Sequence, residues 1–152
     1  TSGPGMRTPT SPEGAIDRPV QPLALALAAG ATFVARGYAL ELHHLAWIIG
    51  QALQHSGYAL VDVLQPCVSF NKVNTFGWYK QRCYNLPEEY DPTDWQAAMQ
   101  KAMEWGDRIP LGIIYRNQRP TFESRHAVLK QGPLVGSKTD LKKLEKIMDK
   151  FS

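Results

Sequence analysis

The sequence predicts an α/β chain with a mainly parallel sheet flanked by helices, and three observations lead there. Residues 31–36, Ala-Thr-Phe-Val-Ala-Arg, are β-branched and aromatic and read as a strand. Residues 59–64, Ala-Leu-Val-Asp-Val-Leu, are apolar apart from Asp62, long enough for a buried strand and too short for a helix. Between them, Leu42, Leu45, Ile49 and Leu53 recur at helical spacing and mark one face of a helix over residues 40–55, ended by Gly57. Strand, helix, strand at this length implies a parallel pair joined by a right-handed crossover.

The remaining elements follow in order. Residues 1–22 hold five of the eleven prolines and three of the twelve glycines. They have little to bury and read as an extended loop preceding a domain over residues 23–152. Residues 22–30, Pro-Leu-Ala-Leu-Ala-Leu-Ala-Ala-Gly, alternate enough for a strand, but their alanine content and terminal Gly30 favour a short helix. Residues 74–84 look partly helical, rich in aromatic and basic side chains. Residues 94–105 form a helix with Asp94 in its first turn, Pro92 just before it and Gly106 after it. Residues 111–115 are a further strand, and residues 121–131 fit neither period. Residues 139–151 form an amphipathic helix with Leu141, Leu144, Met148 and Phe151 on one face.

A chain of 152 residues, 43% hydrophobic and 20% charged, has a globular composition. A net charge of +3, with both signs interspersed, gives no reason to expect nucleic acid. No apolar run approaches a membrane span, and no basic-then-apolar leader opens the sequence. Two cysteines are too few for a disulfide framework, which favours a cytoplasmic location.

The chemistry concentrates at residues 59–71, Ala-Leu-Val-Asp-Val-Leu-Gln-Pro-Cys-Val-Ser-Phe-Asn. Pro66 lacks a backbone N–H and stops the ladder, so Cys67 falls at the carboxyl end of a strand. Open α/β sheets place their ligands there. Iron–sulfur clusters need thiolates on short loops, because several sulfurs converge on one small core. On spacing alone a packing cysteine is the stronger reading of Cys67.

The surrounding residues reverse that preference. Gly30-Ala-Thr-Phe-Val-Ala-Arg36, His44-Leu45, Val61-Asp-Val-Leu-Gln-Pro-Cys67, Asn74-Thr75 and Trp78-Tyr79 together resemble the beta subunit of the 2-oxoacid:ferredoxin oxidoreductases, from about Thr8 to Gly136. The resemblance implies the C-terminal part of a thiamine-diphosphate-binding fold, with Cys67 as one thiolate ligand of a 4Fe-4S cluster. It also implies oxidative decarboxylation of a 2-oxoacid, pyruvate among them, with coenzyme A. Electrons then pass through the cluster to ferredoxin, in an enzyme that includes an alpha subunit. In that family the other cluster cysteines, the Gly-Asp-Gly-type motif for Mg2+ and thiamine diphosphate, and a Gly-Leu-Thr-Lys-Gly-Gln loop lie further upstream. None is present here, and Thr1 is not an initiator Met, so the expectation is a fragment that is inactive in isolation.

Other candidates have plainer readings. Cys83, expected in a helix between Arg82 and Tyr84, reads as a packing cysteine. His43 and His44 are adjacent, so on a helix their side chains diverge by about a hundred degrees. His55 reads as a cap or a solvent-facing residue. Gly132-Pro-Leu-Val-Gly-Ser-Lys-Thr139 resembles a phosphate loop, but Ser137 stands where a glycine must precede the lysine. Ser137 with Asp140 is better explained as a capping box. Asp62 has Arg36 as its expected partner across the sheet. Phe70, Phe76, Trp78 and Tyr79, beside Lys72 and Lys80, suit either stacking on a flat ligand or shielding a cluster at a subunit surface. Two other functional classes remain open on sequence: a non-catalytic α/β partner-binding module, and a nucleotide-binding protein using residues 137–139.

Overall fold

A computed structural model describes residues 3–136, 138 and 140–151. The chain divides into two units, Thr1–Arg119 and Pro120–Ser152. The first holds helix α1 (Pro22–Ala28), strand β1 (Phe33–Tyr38), helix α2 (Leu42–Gln54), strand β2 (Ala59–Leu64), helix α3 (Phe76–Arg82), strand β3 (Cys83–Asn85), helix α4 (Trp95–Met103) and strand β4 (Ile109–Arg116). The second holds helix α5 (Phe122–Arg125), two 3₁₀ turns (Leu129–Gln131 and Leu134–Gly136) and helix α6 (Leu141–Met148).

The four strands form one sheet in the order β2-β1-β4-β3. β1 pairs with β2 in parallel, Phe33 opposite Ala59 through Tyr38 opposite Leu64. β3 pairs with β4 in parallel. The two pairs join through an antiparallel contact of β1 with β4, irregular between Val34 and Ala35. The sheet is thus mixed, with parallel pairing predominant. β2 was expected to be a buried strand; it lies at the sheet edge and its side chains are mostly half-buried, because no further described strand covers its outer side.

Local chemistry sets the boundaries. Pro22 occupies the first turn of α1, where its missing N–H is no loss. Gly30 then turns the chain into β1 at φ +86, a conformation costly for other residues. Asp94 is the N-cap of α4 and not part of its first turn; its carboxylate accepts from the backbone N–H groups of Gln96 and Ala97. β4 begins earlier than expected and includes Pro110. Pro110 precedes the stretch paired with β1, which runs from Gly112 to Arg116, so its missing N–H interrupts nothing on that side.

The core lies on both faces of β1 and β4. On one face, α1 and α4 bring Leu23, Leu27, Ala98 and Ala102 against Val34 and Ile114. On the other, α2 sets Ile48 against Phe33 and Ala35. Of the α2 face anticipated from Leu42, Leu45, Ile49 and Leu53, only Leu45 packs, against Gly37 of β1. Leu42 is 70% and Leu53 82% exposed, and Ile49 is also exposed, whereas Ile48 is fully buried with Ala52 beside it. Small residues allow close approach: Gly37 of β1 leaves room for the Leu45 side chain, whose Cδ1 lies 2.6 Å from where a Cβ would stand.

One further expectation changes. Residues 74–84 are helical only to Arg82; Cys83 begins β3, which hydrogen-bonds to β4 and so withdraws Cys83 and Tyr84 from the helix. Within the second unit, Asp140 caps α6 by accepting from the Lys143 N–H. Ser137 and Thr139, which carried the capping-box and phosphate-loop readings, lie outside the described residues.

Candidate site at the carboxyl end of the parallel strands

β2 ends at Leu64, and Gln65-Pro66-Cys67 leads off its carboxyl end. The chain then turns: the Cys67 carbonyl accepts from the N–H groups of Phe70 (3.3 Å) and Asn71 (2.8 Å). Asn71 locks the next turn. Its side-chain oxygen accepts from the N–H groups of Val73 and Asn74, and its amide donates to Asn74 Oδ1 at 2.9 Å. Thr75 then caps α3 through the Trp78 N–H. Cys67 is a free thiol, exposed, on a loop fixed from both sides.

Cys67 borders a cavity of about 280 Å³ with Pro66, Phe70, Asn71, Asn74 and Tyr79; Thr8 and Thr10 of the N-terminal loop complete it. That loop doubles back through a Thr8–Ser11 bridge. An exposed soft sulfur at the rim of a cavity suits a metal–thiolate bond. It is one ligand only: among the described residues no group of three His, Cys, Asp or Glu side chains comes together.

Tyr79 also borders a second cavity of about 180 Å³, with Arg36, Asp62, Gln65 and Trp105. The Arg36–Asp62 pair joins directly opposed residues of β1 and β2, with Nε donating to Oδ2 at 2.9 Å. Arg36 is 1% exposed, and its Nη1 is buried without a hydrogen-bond partner among the described residues. Trp105 lies across the guanidinium, 5.3 Å from its ring centre. Trp78, Tyr79 and Trp105 pack edge to face or tilted, and Tyr38 stacks obliquely on Tyr79. In this aromatic group Tyr38 is buried, Trp78 and Tyr79 are half-buried and Trp105 is exposed, with exposed Phe70 beside the thiol. Burial pushes the Tyr79 phenol above its ordinary range, so it stays protonated at neutral pH.

The other candidates are placed apart. Cys83 packs against Tyr38, Leu64, Ile109 and Leu111. Burial, aided by the Glu41 charge, pushes its thiol up to about 11. His43 is exposed. His44 Nδ1 sits 3.5 Å from Glu41 Oε2 without a hydrogen bond, and its ring stacks on Trp47. His55 is turned to Thr32 at the far end of the strands. Sequence reasoning anticipated the Arg36–Asp62 pair and the position of Cys67. It missed Trp105, which only the fold brings over Arg36, and the Asn71–Asn74 turn, for which the Asn-x-x-Asn spacing was the available signal.

Known proteins resemble this chain in sequence and in fold. Residues 67–131, beginning at the thiol itself, match the family model for the C terminal of the pyruvate ferredoxin oxidoreductase beta subunit. The chain is 43% identical over 134 residues to 2-oxoacid:ferredoxin oxidoreductase subunit beta of a Sulfolobus species, covering 80% of this chain and 44% of that protein. It is 48% identical over 118 residues to subunit beta of 2-oxoacid:ferredoxin oxidoreductase 2 of Aeropyrum pernix, covering 70% of this chain and 38% of the relative. Among solved structures, 2-oxoglutarate:ferredoxin oxidoreductase from Magnetococcus marinus, with 2-oxoglutarate, coenzyme A and succinyl-CoA bound, superposes with a TM-score of 0.83 at 34% identity, covering 97% of this chain and 50% of that one. The chain therefore spans less than half the length of these curated relatives.

Proposed function

We propose that this chain, a member of the 2-oxoacid:ferredoxin oxidoreductase beta-subunit family, supplies one thiolate of a 4Fe-4S cluster through Cys67. The reading extends to an enzyme that oxidatively decarboxylates a 2-oxoacid with coenzyme A, in the cytoplasm, together with an alpha subunit and with ferredoxin as acceptor. The observation that carries it is the exposed thiol on the turn after Pro66, at the carboxyl end of β2 and on the rim of a cavity.

The described residues fit the cluster as a single ligand. When bound, such a cluster accepts and passes on electrons one at a time. The chain's own residues do the rest: Pro66 ends the ladder and aims the loop, the Asn71 turn holds it, and the aromatic group limits water behind it. Thiamine diphosphate and Mg2+ belong to the same reading as groups of the assembled enzyme, and no residue of this chain is assigned to them. The relatives' names support this assignment over a non-catalytic partner-binding module.

The test is Cys67→Ser in the assembled enzyme. A serine oxygen is a poorer ligand for iron in such a site, so iron content and ferredoxin reduction are expected to fall together, with decarboxylation spared more. Unchanged iron content and unchanged ferredoxin reduction would overturn the assignment.

A further inference from the structure

The opposite end of the same strands carries a second pocket. β1 and β2 run in register for their whole length, so Phe33 and Ala59 lie at the end remote from Leu64 and the Cys67 loop. Six residues per strand put the two ends roughly 20 Å apart. At the remote end is an open cavity of about 420 Å³ lined by Gln51, Gln54, His55, Ser56, Arg116, Gln118 and Arg119.

The lining contains two guanidinium groups and no carboxylate. Neither Arg116 nor Arg119 has an ion pair among the described residues. The carboxyl end of α2 offsets about half a unit of charge, leaving the pocket clearly positive. Arg116 and His55 are held in place before any ligand arrives. Arg116 donates from Nη2 to Gln51 Oε1 at 2.6 Å, and its guanidinium lies over the Phe33 ring. The Thr32 hydroxyl donates to the Tyr58 carbonyl at 3.2 Å, so at the 2.9 Å contact with His55 the imidazole Nε2–H is the donor. Gly57 makes that contact possible. Its φ of +135 suits glycine, and a Cβ there would stand 2.8 Å from the Thr32 hydroxyl and 3.4 Å from His55 Nε2.

We propose that this pocket binds the phosphate group of a small molecule, held between Arg116 and Arg119 with Ser56 and the glutamine amides as further donors. Two guanidiniums, Arg116 anchored on Gln51 and Phe33 and Arg119 exposed and free to close on a ligand, suit a dianion with three terminal oxygens. A planar carboxylate would be satisfied by one fork alone. The pocket lies apart from the Cys67 cavity, shares no residue with it and needs no cluster, so this inference stands or falls independently of the proposed enzymatic role.

The experiment is calorimetric titration of the full chain, in chloride buffer at pH 7, with inorganic phosphate, with phenyl phosphate and with acetate. Saturable binding of phosphate or its ester, at least about tenfold tighter than acetate, is expected, since each charge-assisted contact contributes strongly. Tighter binding of phenyl phosphate points to a phosphate ester as the ligand, and tighter binding of inorganic phosphate to the free ion. Arg119→Gln, at an exposed position, should weaken binding about tenfold without altering the circular dichroism. Arg116→Gln should weaken it similarly, with some loss of stability from the contact with Phe33. Amide resonances of Ser56 and Arg119 should shift on titration while those of Cys67 and Asn71 stay still. Absence of saturable binding, equal affinity for acetate, unchanged affinity in Arg119→Gln, or shifts centred on Cys67 would each overturn the proposal.

Discussion

At the scale of single residues, the two cysteines separate cleanly. Cys67 is exposed, while Cys83 is packed into the core with its thiol raised to about 11, so at pH 8 it is almost wholly protonated. A disulfide-exchange reagent at pH 8 should therefore label Cys67 fast and Cys83 only on unfolding. Peptide mapping after a short pulse checks this, and rapid labelling at Cys83 contradicts it. The Arg36–Asp62 pair gives a second expectation. Asp62→Ala leaves a buried guanidinium without its carboxylate; because Asp62 is 24% exposed, the expected loss lies below the about 3–5 kcal/mol of a fully buried pair. Asp62→Asn, which keeps an acceptor at that place, should cost less, and urea denaturation of the two variants measures the difference. Both features were partly legible in the sequence. A lone acid in an apolar strand asks for a partner, and a proline ends a ladder wherever it stands. Trp105 was not legible, because its place over Arg36 depends on how α4 leads into β4.

At the scale of elements, β3 and α4 are tied by side chains. Tyr84 of β3 donates to Glu104 just beyond α4, and Lys101 donates to both. Burial pushes the Glu104 carboxyl up, but the hydrogen bonds from Lys101 and Tyr84 outweigh it and hold the group below its ordinary range. The sign follows: a depressed carboxyl contributes stability that is present above its unfolded pKa and is lost as pH falls through its folded one. Glu104→Gln should thus flatten the acid limb of stability against pH while costing of order 1 kcal/mol at pH 7. Chemical denaturation across pH 3–7 is the check, and an acid limb identical to that of the parent chain contradicts it. β3 itself escaped the sequence because Cys-Tyr-Asn is too short to show a period and follows a helical run without a break. The α2 face was misread for another reason. Leu42, Ile49 and Leu53 fall at helical spacing on the outside, while the packed side uses Ile48, Ala52 and Leu45 in the gap left by Gly37. Size misled where shape decided.

At the scale of the whole chain, every buried cluster among the described residues lies between Leu23 and Tyr115, inside the first unit. A chain ending at Arg119 should therefore keep a cooperative unfolding transition close to that of the full chain. Loss of cooperativity would show that the second unit carries part of the core. The α/β class and the place of the Cys67 loop at the end of β2 were legible because strand-length apolar runs and an interrupting proline are local signals. The antiparallel join between β1 and β4 was not, since it depends on pairing across about eighty residues. The proposal that this chain serves a cluster is tested most directly by diffraction from the assembled enzyme at the iron absorption edge. The account predicts an anomalous peak for the cluster within bonding distance of the Cys67 sulfur, at the cavity bounded by Asn71 and Tyr79. A cluster bound entirely by other residues, with the Cys67 sulfur free, would contradict it.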